Sequence, residues 1–141
     1  MPSSIQSNVV VGAILMAAAE DLTVKTARIC AIGASGVSLN ASATVVQPYV
    51  LEDDGASGAT VAIRPLNPNS QIRIVLKGTC AVGDTLVVAD PGTAADKGKV
   101  RVKPTAAGTY AIVGIAEEVG ADGQAVLVRP FLTGLTTTVA G

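Results

Sequence analysis

The strongest constraint on this chain is an alternation of apolar and polar side chains, residue by residue, cut into short runs by turn-forming residues. QIRIVLKG sets Ile72, Ile74 and Leu76 on one side and Arg73, Val75 and Lys77 on the other. GKVRVK sets Val100 and Val102 against Lys99, Arg101 and Lys103, and TARICAIG sets Ala27, Ile29 and Ala31 against Arg28, Cys30 and Ile32. Successive side chains of a strand point to opposite faces, so a period of two marks half-buried strands. EDDG, NPNS, VGD, DPG, DKG, AAG and ADG fall between the runs, and such residues close turns. The pattern predicts an all-β fold, a small barrel or sandwich of about eight short strands over residues 26–131, with a C-terminal tail at 132–141.

One stretch is written twice. GASGATVAIRPL at 55–66 is echoed by GADGQAVLVRPF at 120–131, with six of the twelve positions identical at one gap-free offset. Upstream, Glu52 matches Glu117. Each copy reads as a hairpin: a Gly-bearing turn, then a return strand closed by a Pro that cannot donate to a ladder. Two related β units, or two hairpins that converged on the same residues, would both produce the echo.

Residues 1–25 read differently. Met1 to Asn8 is polar, and Gly12 to Leu22 suits either a short helix or an extended arm. The segment is expected to be a loose or short-helical N-terminal arm. Its apolar run, Val9 to Ala19, is shorter than the roughly 20 residues a membrane-spanning helix needs, and no Lys or Arg precedes it. A soluble chain, synthesised in the cytoplasm, is expected. Its length suits one domain. Aromatic residues are only 2% of the chain and aliphatic ones abound, so Val, Ile, Leu and Ala must build the core.

The chain contains no histidine. That removes the usual general base, the Ser-His-Asp and Cys-His arrangements and the commonest metal ligand. Cys30 and Cys80 form no CxxC pair and read as buried free thiols. The carboxylates at Glu52-Asp53-Asp54 and Glu117-Glu118 lack the spacing of a calcium loop and read as solvated turns. No catalytic residue, cofactor or metal is expected. A net charge of −1 argues against a nucleic-acid partner, and no small-molecule substrate is indicated. Lys97, Lys99, Arg101 and Lys103 share one face if extended. They read as a guarded sheet edge or as a docking stripe for an acidic protein. The apolar Val9, Val10, Val11, Ile14, Leu15 and Met16 are a candidate docking arm.

From residue 78 the order is GTCAVGDTLVVADPG, then DKGKVRVK, then AAGTYAIVGIAEEVGADGQAVLVRPF. This order resembles the capsid-decoration, or cement, proteins of tailed bacteriophages, small Ala-, Gly- and Val-rich β proteins. The likeness covers residues 70–131 well, 26–66 loosely and 1–25 not at all; the Thr-rich end LTTTVAG departs from it. It implies a non-enzymatic structural virion protein, a homotrimer bound to the major capsid protein on the outer face of the capsid. A tail or spike component of similar build is the alternative. A carrier-type barrel would need a modifiable Lys beside a Met at a tight hairpin; Lys97 and Lys99 flank Gly98, but no Met is near.

Overall fold

The structure, a computed structural model, describes residues 13–141. These residues are all-β, with two antiparallel sheets and, among them, a single 3-10 turn at Ala94–Asp96. The described residues form β1 (Ile14–Ala17), β2 (Ile29–Gly33), β3 (Gly36–Leu39), β4 (Tyr49–Asp53), β5 (Thr60–Pro65), β6 (Ile72–Val75), β7 (Thr85–Val88), β8 (Val100–Val102), β9 (Gly108–Ala116), β10 (Ala125–Pro130) and β11 (Thr136–Val139); β2 to β10 are the expected short strands of residues 26–131, and β1 and β11 add strands in the expected arm and tail.

The first sheet runs β1-β5-β4-β2-β3 and the second β6-β10-β9-β7-β8, with β11 added on β9. These are the same topology, since strand n of the first sheet takes the place of strand n+5 in the second. The residue registers coincide as well. Ile14 faces Ile63 as Ile72 faces Val128. Val50 faces Arg64 as Ile115 faces Arg129. Cys30 faces Leu39 as Leu86 faces Val102. The echo in the sequence therefore belongs to a repeat that covers every strand up to β10.

Each sheet curls until its end strands meet. Ala18 bridges Val37 in parallel, and the Ala19 N–H donates to the Val37 carbonyl at 2.8 Å. At the equivalent places Leu76 bridges Val100, and the Lys77 N–H donates to the Val100 carbonyl at 2.8 Å. Two small five-stranded barrels result, and closure removes most of the free edges that invite aggregation. The echoed hairpins supply the tight turns: Gly58 and Gly123 have φ of 85° and 82°, where a Cβ would be strained.

Each barrel has its own core. The first is filled by Ala18, Leu22, Cys30, Val37, Leu39, Leu51, Val61 and Ile63. The equivalent positions of the second are Leu76, Cys80, Leu86, Val100, Val102, Ala116, Val126 and Val128, all in or against one cluster. Ile29, Val46 and Val50 of the first half join that second cluster, so apolar packing continues across the junction. At about 25 cal/mol per Å² of apolar area removed from water, these two clusters are the main stabilising force.

The N-terminal expectation needs correction. Ile14–Ala17 is neither helix nor loose arm but a strand paired to β5, and Leu22 is fully buried. Burial against β5 overrides the helix propensity of Leu, Met and Ala. Among the described residues the β body reaches back to Ile14, ahead of Thr26. Val9, Val10 and Val11 lie outside the described residues.

Candidate interaction surface

The carboxylates are absorbed into the fold. Asp54 accepts from the Val24 N–H at 2.6 Å, Asp84 from the Ala81 N–H at 2.8 Å, and Asp122 from the Gly78 N–H at 2.7 Å. Each thus holds a turn. Glu52 pairs with Arg64 at 2.8 Å, and Glu117 pairs with Arg129 at 3.4 Å. These two cross-strand pairs are equivalent in the two barrels. Glu118 binds Arg73 and the Leu127 N–H, and those hydrogen bonds lower its pKa. No group of three metal-ligating side chains occurs among the described residues.

Both cysteines are buried and unbridged. Burial pushes the Cys30 thiol up to about 12, so it stays protonated at neutral pH. Burial also raises Cys80, which touches the Glu118 carbonyl at 3.6 Å.

The basic residues behave unevenly. Lys99 is drawn inward, its side chain only 14% exposed, and reaches Asp96 at 3.2 Å, while Lys77 reaches the other oxygen of Asp96 at 3.3 Å. These contacts lower the Asp96 pKa although burial opposes them. The triad spans the seam between β6 and β8. Arg101 lies over the Tyr110 ring at 5.7 Å, with its Nε buried and unpartnered. Lys97 is separated from the strand by Gly98; its carbonyl, with that of Ala95, receives Arg28 from the first half at 3.1 and 2.9 Å. Of the expected stripe, only Lys103 is an exposed residue. The sequence pattern placed these residues on one face but not the partners that occupy them.

The apolar surface is more informative. Ile14 and Met16 pack on the first core, whereas Leu15 is 70% exposed. Exposed valines crown one end of each barrel: Val24 on the first, and Val82 and Val119 on the second. The Cys80–Gly120 bridge brings together the two turns that carry Val82 and Val119. Val24 and Val82 are equivalent, because the Leu22 N–H reaches Gly55 as the Cys80 N–H reaches Gly120. Leu132 and Leu135 are exposed in the connection to β11. Sequence reasoning passed over these residues, although valine inside AVGD and EEVG was a usable signal. At the junction, Thr26, Ala27, Val50, Leu51, Glu52, Ile72 and Arg73 line an open cleft of about 210 Å³. Its charged groups are paired elsewhere, Glu52 with Arg64 and Arg73 with Glu118.

No protein-family model matches the chain, and no curated protein matches it.

The arrangement offers rigid, closed β bodies with apolar side chains at their ends. No helix among the described residues is long and apolar enough to cross a membrane.

Proposed function

We propose that the chain is a structural, non-enzymatic virion protein that binds the outer surface of an assembled phage capsid and stabilises it, acting as a homotrimer on the major capsid protein. The observation behind this reading is the contrast in side-chain use. The described carboxylates of the loops hold turns or cross-strand pairs, while Leu15, Val24, Val82, Val119, Leu132 and Leu135 face solvent. Apolar side chains exposed on a rigid body suit a docking role. The resemblance of residues 70–131 to decoration proteins points the same way.

Binding only the assembled lattice stabilises it by mass action, about 2.7 kcal/mol per site when free protein is at 100 times its Kd. A trimer converts three weak contacts into one strong attachment. The test adds purified protein to expanded and to unexpanded empty capsids and follows their melting. Binding to expanded shells with a raised melting temperature is the expected result. Binding to neither form, or electron microscopy that places the protein on the tail, would overturn the reading.

A further inference from the structure

We propose that β11 is exchanged between copies of this chain, with Thr136–Val139 of one copy pairing with Gly108–Ala111 of the next. This deepens the oligomer part of the preceding proposal and needs no capsid to be true. The repeat makes the case. Both barrels close without β11, and β11 has no counterpart among the described residues of the first half. Its acceptor is also an addition. The register equates Tyr49 with Gly114, so Gly108–Ala111 extends β9 beyond anything β4 possesses.

The attachment is a main-chain ladder with little packing. Thr136 faces Ala111, Thr137 faces Tyr110, Thr138 faces Thr109 and Val139 faces Gly108. No residue of β11 is buried, and none belongs to either core. A strand held this way opens at low cost. Because an identical acceptor exists on every copy, exchange re-forms the same bonds between chains. The connection, Phe131 to Leu135, turns at Gly134 and could extend to about 17 Å at 3.4 Å per residue. It carries Leu132 and Leu135, 69% and 46% exposed, which a neighbouring copy would cover. The partner is therefore a second copy of this chain, the one protein known to present an edge that fits β11 in register.

The Thr109 and Thr138 hydroxyls lie 3.3 Å apart across the ladder, so cysteines there are placed to bridge. The full-length Thr109→Cys/Thr138→Cys variant is oxidised mildly and run on a denaturing gel without reductant. Exchange predicts covalent oligomers that return to monomer mass with reductant. A product at monomer mass, whether its thiols are bridged or free, overturns the proposal. Co-expressing the two single variants adds a second readout. Exchange predicts a linked pair carrying one chain of each kind by intact mass; two unlinked chains contradict it. Neither readout involves shells, so failure here leaves the capsid-binding experiment to decide its own question.

Discussion

The two barrels are the same construction carried out with different parts. Their strand order and registers match, yet their cores share few residues. Position by position, Leu22 and Cys30 of the first barrel become Cys80 and Leu86 in the second, and Ala18 and Leu51 become Leu76 and Ala116. Large and small side chains have traded places while the volume filled stays similar. That is how cores tolerate sequence change, provided total volume and pattern are kept. Only Val37/Val100 and Val61/Val126 are unchanged among the residues of the first core and their counterparts.

The barrels differ most where chain has been added. β2 and β3 are joined by a two-residue turn, Ala34 and Ser35. The connection from β7 to β8 is long and contains the 3-10 turn. That added segment builds the junction: the Ile29 N–H donates to Gly98 at 2.7 Å, and Arg28 holds the Ala95 and Lys97 carbonyls. It also supplies Asp96, which staples the second seam. In the first barrel Glu20 does that work, accepting from the Leu39 N–H at 2.8 Å. Equivalent main-chain bonds thus close each barrel, while added residues join the barrels, staple the second seam and extend the tail.

The largest expected asymmetry sits at Gly114, the counterpart of Tyr49. A Cβ on Gly114 would run into the Arg129 carbonyl oxygen, so Gly114→Ala should cost more than about 3 kcal/mol in denaturant unfolding. A cost below about 1 kcal/mol would show that the second barrel has slack there. Next comes the traded pair. Leu86→Cys and Cys80→Leu should each cost about 2 kcal/mol, one by leaving a cavity and one by overpacking. The double variant reproduces the first barrel's arrangement and should cost clearly less than the sum; simple additivity would break the claim of compensation.

Asp96→Ala should destabilise by about 2 kcal/mol at neutral pH, because it removes two charge-assisted contacts at the second seam. The folded pKa of Asp96 lies below its usual 3.8. Its contribution is therefore complete above that value and falls away as acid protonates it in the folded state. The gap between parent and variant should narrow below pH 3.8 in a series of melts; a constant gap would exclude the carboxylate as its source. The smallest effect concerns Ala27 and Gly83, equivalent residues with φ of 61° and 91°. Ala27→Gly should relieve left-handed strain and stabilise by about 1 kcal/mol, and Gly83→Ala should cost a similar amount.

The sequence displayed strands wherever one face met solvent, as in QIRIVLKG and GKVRVK. It displayed the repeat only at the β5 and β10 hairpins, where turn geometry and the Glu–Arg pair restrict the residues allowed. Elsewhere compensating core swaps and unequal connections hid it, so β1 read as a possible helix and β11 as a tail. Site residues were harder to find. The alternation put Lys99 and Arg101 on an outer face, but it does not show that the 3-10 turn folds Asp96 back onto Lys99 or that β9 brings Tyr110 under Arg101. Leu15, a candidate contact in the sequence, is exposed; Val24, Val82 and Val119 carry no strand pattern because they sit in the connections between strands.

Amide hydrogen exchange at Ala19 and Lys77 tests the closed-barrel repeat most directly. Both N–H groups make the bond that joins the ends of a sheet, so both should exchange as slowly as amides within the cores while the β11 amides exchange quickly. Fast exchange at Ala19 and Lys77 together would mean open sheets, and the equivalence of the two halves would lose its foundation.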